Sequence, residues 1–478
     1  MKVYFHAAGG LLGGIDAGNN RGVFAMPMVV KNNRSATNTL NTLNKNEKAL
    51  SKSLKQVSTG MKITSAQDDA SGYAISERMR VQIQGLSQSD NNAQTGLSML
   101  KTAEGAVDST VEILRTLKEK LINAANDTNT DADREIIQKE FDQMIDQIDD
   151  NANSTYNGKY LVDGSKSGIV IGEHGGGTHT SLTNQALSDD TEFETPLIAL
   201  KDASGNSLSL QSTDRLVISY VKQGQTHTIT KNPIGSTLDL DTIFNGTTDD
   251  GRSISTDIEM YRAMDADLNY VYNEVGKGVS GETVYTADGR NAITFRAVEP
   301  GVDGQIAGLT FCFMDREGNV KKSANAAMDN FVETVRAQNP SEDNALVFQV
   351  GTEANVSVKV GLTDMRSVAL GLKASDGSTL RISAQPFANA AISVVDNALQ
   401  KALDQQTTIG SIESRMEYTS SNLVLANENT QASESTIRDA DMARAMTDYT
   451  KSNVLLQASQ SMLAQANQNS SSVLSLLQ

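Results

Sequence analysis

The sequence predicts a mainly α-helical protein with a β-rich insertion, in which both chain ends form a long antiparallel helical bundle or coiled coil. At each terminus, apolar residues recur in alternating steps of four and three, which is the spacing of a heptad seam. The middle of the chain, roughly residues 166–344, instead has short alternating runs between Gly-, Ser- and Thr-rich stretches. That pattern indicates short strands and turns.

The C-terminal stretch 441–478 is predicted to be one helix, because neither Pro nor Gly interrupts it. One seam includes Met446, Tyr449, Leu456, Leu463, Leu474 and Leu477. A second seam runs beside it through Leu455, Ser459, Met462 and Ala466. Two adjacent seams favour a helix that packs among several others. Polar residues take about every second seam position, so we expect this segment to be mobile in the monomer and ordered in an assembly.

The predicted partner lies near the other end of the chain. The same four-three steps join Leu40, Leu43, Leu50, Leu54 and Val57, on a segment rich in lysine. A single such helix would most simply be an amphipathic helix inside a globular core. Two heptad helices, one at each terminus, favour pairing of the chain ends.

Composition excludes several classes of protein. The chain has 478 residues, enough for two or three domains, and a formal net charge of −17, which argues against general nucleic-acid binding. Because the chain has only one cysteine, Cys312, an internal disulfide framework is excluded. Cys312 lies on a predicted apolar strand and is expected to be part of the hydrophobic core. No apolar run is long enough to span a membrane. Residues 1–27 fit a secretory signal peptide poorly and are interpreted as an atypical, disordered extension.

Further helices are predicted over about 71–126, 131–153 and 388–427, and a short helix over 261–272. Three glycines interrupt the first of these, at positions 85, 96 and 105; close packing and slight bending both remain open. Strands are predicted at 216–221, 226–230, 283–287, 292–298 and 309–314, and a strand pair at 346–351 and 356–362.

Candidate catalytic or metal-binding residues are weakly supported. His174 and His179 are five residues apart with glycines between them, whereas a helical zinc site needs two histidines one turn apart, so a flexible loop is favoured. The carboxylates Asp68-Asp69, Asp439 and Asp441 precede helices and are expected to cap them. No phosphate loop or nucleophile–base constellation is present. The sequence therefore predicts no enzymatic activity and no cofactor.

Motifs at both ends resemble those of bacterial flagellin, in the order in which that family has them. At the C-terminus they are Ser435–Asp441 (STIRDAD), Leu463–Asn467 (LAQAN) and Val473–Leu477 (VLSLL). At the N-terminus they include Ser58–Gly60 (STG) and Ile63–Gly72 (ITSAQDDASG), and the likeness covers roughly 28–165 and 345–478. The resemblance implies a structural subunit that is exported and polymerises into the flagellar filament for motility. The alternatives are a hook–filament junction protein and a flagellin whose outer domain acts as an adhesin.

This resemblance also implies a domain organisation and a set of partners. Residues 28–62 with 442–478 would form terminal coiled-coil assembly helices, 63–165 with 345–441 a helical core with a β-hairpin, and 166–344 a variable outer domain. The expected partners are other copies of the chain, the flagellar export apparatus, an export chaperone and the filament cap. The expected location is outside the cell, in the flagellum, without membrane insertion.

An innate immune receptor that binds many flagellins is a further expected partner. The family's contact motif reads Gln-Arg-Val-Arg-Glu-Leu, and the corresponding segment here begins at Arg115. Thr116 replaces the first arginine of the motif, Lys118 replaces the second, Glu119 is retained and Lys120 replaces the leucine. Threonine cannot make the planar, bidentate contacts of an arginine, so receptor binding is expected to be weak.

Overall fold

The structure is a computed structural model that describes residues 33–264 and 270–476, apart from the side chains of 470 and 473–476. Its α-helices are α1 (Arg34–Thr59), α2 (Ala70–Ala124), α3 (Asp131–Ala152), α4 (Leu240–Phe244), α5 (Lys322–Met328), α6 (Gln385–Arg438) and α7 (Met442–Leu476). Its strands are β1 (Thr155–Tyr156), β2 (Lys159–Tyr160), β3 (Ser181–Asn184), β4 (Arg215–Lys222), β5 (Gln225–Lys231), β6 (Ile258–Met260), β7 (Ala263–Met264), β8 (Tyr270–Val271), β9 (Glu274–Lys277), β10 (Thr283–Tyr285), β11 (Ile293–Ala297), β12 (Ile306–Met314), β13 (Phe331–Val335), β14 (Leu346–Gln349) and β15 (Ser357–Val360).

The described residues divide into two compact units. The terminal unit contains the residues up to Val81 together with those from Thr430 onward, and the central unit is Gln82–Asn429. Within the terminal unit, α1 and α7 run antiparallel. The Asn46 side chain donates to Ser459 Oγ at 2.6 Å, while Met61, beyond the end of α1, is bridged to Asp439, before the start of α7. The predicted antiparallel pairing of the chain ends is confirmed.

The central unit has a helical core formed by α2, α3 and α6. Here too α2 and α6 run antiparallel, since Asp108 accepts from Gln406 at 3.2 Å and Lys118 pairs with Asp396 at 2.6 Å further along α2. The core between them is fully buried and apolar, and includes Leu114, Leu117, Leu121, Phe141, Ile145, Val394 and Val395. The long helices predicted from periodicity are confirmed, and α6 extends further in both directions than predicted.

A β-hairpin packs on α2 and shows why two glycines lie in that helix. The hairpin is formed by β14 and β15, and Asn92 of α2 donates to the Gln349 carbonyl at 3.1 Å. A methyl group at Gly85 would approach Thr352 Cγ2 to 2.8 Å, and one at Gly96 would approach Phe348 Cδ1 to 2.9 Å. Gly85 and Gly96 therefore form a seat for the hairpin, so close packing, one of the two open alternatives, explains them.

The β-rich insertion has an apolar core of its own. Its two larger sheets have the strand orders β13-β3-β11-β6 and β12-β4-β5. Aromatic rings fill the space between them, with Phe295 stacked on Phe244 at 4.2 Å and Phe311 stacked on Phe331 at 5.6 Å between ring centroids. The predicted strands in this region correspond to β4, β5, β10, β11 and β12, and those at 346–362 to β14 and β15.

The helix predicted over 261–272 is wrong. The structure has the paired strands β7 and β8 there, with 265–269 outside the described residues. Arg262 explains the difference, because its guanidinium lies over the rings of Phe193 and Tyr270 at 5.3 and 5.5 Å. It also pairs with Glu194 at 2.8 Å. These contacts with distant segments override the local helical pattern.

Candidate assembly surface

The contact between α1 and α7 follows a heptad spacing on both helices. On α1 the covered residues with this spacing are Ala36, Thr39, Leu43, Asn46, Leu50, Ser53 and Val57, and Gln56 beside them is also half-buried. On α7 they are Ala445, Tyr449, Ser452, Leu456, Ser459, Leu463 and Ala466, and Asn453 beside them is also half-buried. Each series advances by alternating steps of three and four, as a coiled-coil contact requires. These fourteen residues are called the central seam below.

The central seam differs from both seams read from the sequence of α7. It takes Tyr449, Leu456 and Leu463 from the first, and Ser459 and Ala466 from the second. Small residues at every second position let the helices approach closely. The seam of α1 has polar side chains at the equivalent positions, and Asn33 donates to the Ala466 carbonyl at 3.2 Å. The predicted seams already included Ser459 and Ala466, but they missed Ala445 and Ser452 of α7 and Thr39, Asn46 and Ser53 of α1.

Some of the residues predicted for assembly lie beside the central seam. Leu43, Leu50 and Val57 lie within it, whereas Leu40, Leu54 and Met446 are 45, 51 and 47% exposed. Leu455 and Met462, from the second predicted seam, are 44 and 62% exposed. The side chain of Leu474 and the whole of Leu477 lie outside the described residues.

These exposed residues lie along both edges of the α1–α7 contact. Leu40, Leu54 and Met446 each directly follow a seam residue, whereas Leu455 and Met462 each directly precede one. Neighbouring residues on a helix are about 100° apart, so the two groups lie on opposite sides of the seam. We call these five residues the apolar flanks. An exposed apolar strip of this kind marks an interaction surface.

A set of contacts that we call the terminal clasp joins the turn between α1 and α2 to the turn between α6 and α7. The Lys62 amide donates to the Arg438 carbonyl at 2.6 Å, and the Ala440 amide donates to the Gly60 carbonyl at 2.9 Å. The buried guanidinium of Arg438 donates to Glu77 Oε1 at 2.6 Å, and this contact lowers the pKa of Glu77. The clasp holds both ends of the chain in register.

Of the four acidic residues predicted to cap α2 and α7, two cap a helix and two make other contacts. Asp69 accepts from the Gly72 amide at 3.0 Å, and Asp441 accepts from the Ala443 amide at 2.9 Å, so both cap a helix as predicted. Asp68 instead accepts from Thr64, and hydrogen bonds from Thr64 and Lys52 hold its pKa well below the usual range. Asp439 accepts from Ser435 at 2.6 Å and does not act as a cap.

Comparison with known proteins identifies the family. The N-terminal helical region of bacterial flagellin matches residues 30–167, and its C-terminal helical region matches 392–477. A flagellin of Clostridium tyrobutyricum is 31% identical over 444 residues, which cover 92% of this chain and 99% of that protein. The chain belongs to the bacterial flagellin family. Its function is therefore that of a structural subunit of the flagellar filament, in motility.

Other relatives agree over nearly the whole length. A flagellin of Bacillus subtilis is 26% identical over 470 residues, covering 94% of this chain and 100% of that one. Among solved structures, the flagellar hook associated protein-3 of Legionella pneumophila is 12% identical, covers 76% of this chain and 98% of its own, and has a TM-score of 0.31. FliC of Burkholderia pseudomallei is 18% identical, with coverages of 67% and 99% and a TM-score of 0.24.

The segment aligned with the flagellin receptor motif lies on α2, in the central unit. Arg115 and Glu119 are exposed, whereas Thr116 is half-buried and its hydroxyl donates to the Glu112 carbonyl at 3.1 Å. Lys118 is paired with Asp396 at 2.6 Å. Two of the four predicted contact residues are thus freely presented, and the other two are engaged within the chain.

The histidine and cysteine residues considered as candidate site residues all lie in the insertion. His174 is exposed, and His179 Nδ1 lies 2.8 Å from the Ala297 carbonyl oxygen. Burial raises the pKa of the Cys312 thiol. Across residues 33–264 and 270–476, no group of three or more His, Cys, Asp or Glu side chains could hold a metal ion. No helix in the same ranges is long and apolar enough to cross a membrane.

Proposed function

We propose that the chain is exported and then polymerises with identical copies through the apolar flanks of the α1–α7 pair. The exposed flank residues support this most directly, because they lie beside a contact that is already formed within the chain. Complete burial of a large apolar side chain contributes about 1.5–3 kcal/mol, and each flank residue is about half exposed. Five such residues would together contribute roughly 5 kcal/mol to each subunit added.

Polar members of the central seam support the same proposal. The side chains of Asn46 and Ser459 form a hydrogen bond across the seam. This bond sets the register of α1 and α7 but buries little apolar surface. An isolated pair held together in this way is weakly stable, so we infer that neighbouring subunits complete its ordering. The roles of Leu43, Leu50, Val57, Tyr449, Leu456 and Leu463 are then to form the pair, and those of Leu40, Leu54 and Met446 to contact other copies.

We further propose the domain organisation expected from the sequence. Residues 28–62 with 442–478 would be the assembly helices, 63–165 with 345–441 the helical core, and 166–344 a variable outer domain. The separate aromatic core of the insertion supports its independence. The role is structural rather than catalytic. The further partners that we propose are the export apparatus, an export chaperone, the filament cap and, weakly, an innate immune receptor.

The first experiment removes a flank residue without disturbing the seam. Leu54→Asp should leave the monomer folded but prevent filaments, because it places a charge on the surface that neighbouring subunits cover. The matched control is Val332→Asp on β13. This side chain is 59% exposed, against 51% for Leu54, but it lies in the insertion, so the variant should polymerise normally. Circular dichroism and electron microscopy measure the two properties. Normal filaments from Leu54→Asp would contradict the assembly role of the flanks.

The second experiment deletes Met442–Gln478. We expect no filaments, while residues 71–427 remain folded, because the core of the central unit does not include α7. Thermal unfolding of the truncated monomer would show whether the central unit survives. Collapse of the whole chain would contradict the separability of the assembly helices.

A further inference from the structure

Methionines supply a large part of the apolar flanks. Met446 lies on one flank and Met462 on the other, and both side chains are exposed in the subunit. Elsewhere in the described residues, Met328, Met365 and Met416 are at most 1% exposed, whereas Met264 of the insertion and Met442 at the start of α7 are 57 and 44% exposed. Two of the three exposed thioether groups on α7 are thus located where the chain is proposed to meet other copies, and the third, Met442, is the first residue of the helix.

An exposed thioether can be oxidised without any catalytic residue. A peroxide transfers one oxygen atom to the methionine sulfur; the sulfur loses two electrons, the O–O bond breaks, and hydrogen peroxide leaves as water. The product is a sulfoxide, which replaces a flexible apolar group with a strongly polar one. Burial of a sulfoxide without a hydrogen-bond partner is unfavourable.

We propose that Met446 and Met462 form an oxidation-sensitive modification site that makes assembly dependent on the redox state of the free subunit. This proposal rests on the assembly role of the apolar flanks. Oxidation by a peroxide places a polar sulfoxide on each side of the central seam. The oxidised subunit then no longer joins a filament. Assembly in turn covers both sulfur atoms and protects them.

The position of the two residues explains why oxidation changes assembly and not the fold. Neither belongs to the central seam, whose neighbouring members Ala445 and Leu463 keep their contacts. The helix loses no backbone hydrogen bond when a flank side chain becomes polar. Each oxidised methionine should raise the critical concentration for polymerisation roughly tenfold, since the apolar burial of that side chain is lost.

The experiment exposes monomer and filaments to the same dose of hydrogen peroxide and maps sulfoxides by mass spectrometry of peptides. In the monomer, Met446 and Met462 should be oxidised, together with the exposed Met442 at the start of α7 and the exposed Met264 of the insertion. In filaments, Met264 should still be oxidised while the two flank methionines are protected. The enclosed Met416 should remain reduced in both. Equal oxidation of Met446 and Met462 in monomer and filament would overturn the proposal.

A matched variant isolates the effect on assembly. Met446→Leu/Met462→Leu keeps the apolar flanks but removes the two sulfur atoms, so peroxide-treated monomer of this variant should polymerise like untreated protein. Treated wild type should polymerise at about a hundredfold higher concentration, which follows from two tenfold steps. If the flank methionines are protected in filaments but treated wild-type monomer polymerises normally, the redox proposal is overturned and the assembly surface stands. If they are not protected, the assembly surface itself is contradicted.

Discussion

Replacing Gly96 by alanine tests how tightly the β14–β15 hairpin is seated on α2. The added methyl group would lie 2.8 Å from Met416 Cε and 2.9 Å from Phe348 Cδ1. Both distances are well below the roughly 3.5–4.0 Å of a favourable carbon–carbon contact. Met416 ends in a flexible thioether and can shift, but the backbone of Phe348 is fixed by the strand pairing with Val358. The hairpin must therefore move or the helix must strain.

Two opposing effects set the size of the change. Alanine is favoured over glycine inside a helix by about 0.8–1.0 kcal/mol. Overpacking a closely fitted site costs about 1–3 kcal/mol. The clash outweighs the helix propensity, so Gly96→Ala should lower the free energy of unfolding of the central unit by about 1 kcal/mol.

Gly105 provides a matched control on the same helix. A methyl group there meets no atom within 4 Å, so only the helix propensity acts and Gly105→Ala should stabilise α2 by nearly 1 kcal/mol. Urea denaturation followed by circular dichroism should place the two variants on opposite sides of the wild type. A double-mutant cycle with Phe348→Leu should recover part of the loss at Gly96 and change nothing at Gly105.

The seat is contradicted if Gly96→Ala and Gly105→Ala stabilise the protein to the same extent. It is also contradicted if Gly96→Ala destabilises but Phe348→Leu recovers nothing, because the clash would then involve other groups. Destabilisation by Gly105→Ala would refute the assumption that helix propensity acts alone at an open position.

Replacement of 166–344 by a Gly-Ser bridge should leave polymerisation intact; a soluble product without filaments, seen by electron microscopy, would assign the insertion to the assembly core. Activation of the innate immune receptor in reporter cells should be weak. The potency should rise roughly 10- to 100-fold when Thr116→Arg, Lys118→Arg and Lys120→Leu are combined. If the combined variant is no more potent, these positions do not determine receptor activation. Since Asp68 has a lowered pKa, its contribution to stability is complete above its unfolded pKa of about 4 and is lost as pH falls below it. In Asp68→Asn, the midpoint of unfolding should therefore fall less steeply than in the wild type as the pH is lowered.

The sequence alone was sufficient to predict the features that depend on the spacing of residues along one helix or strand. Heptad spacing predicted the helices at both ends and their antiparallel pairing, because a helix that hides one face must repeat apolar residues every three or four positions. Alternating runs predicted five of the eleven described strands of the insertion for the corresponding reason. Ordered motifs such as LAQAN at Leu463–Asn467 indicated the family, which the comparisons show.

Some members of the central seam could not be found in that way. Asn46 is polar and belongs to no predicted seam, although its partner Ser459, 413 residues away, lies in the second predicted seam of α7. Joining apolar residues instead led to Leu40, Leu54 and Met446, which the structure leaves exposed. Their exposure is what separates the contact within one chain from the surface proposed to meet other chains.

Tertiary contacts decided the remaining features. A glycine in a helix has the same sequence signature at Gly96, where a hairpin packs, and at Gly105, where nothing does. Arg262 lies in a segment with a helical pattern, yet one ring and two carboxylates from distant parts of the chain contact it between β6 and β7. The physical reason is common to these cases: periodicity reports which face of an element avoids water, whereas the partner that covers that face is fixed by packing with distant parts of the chain.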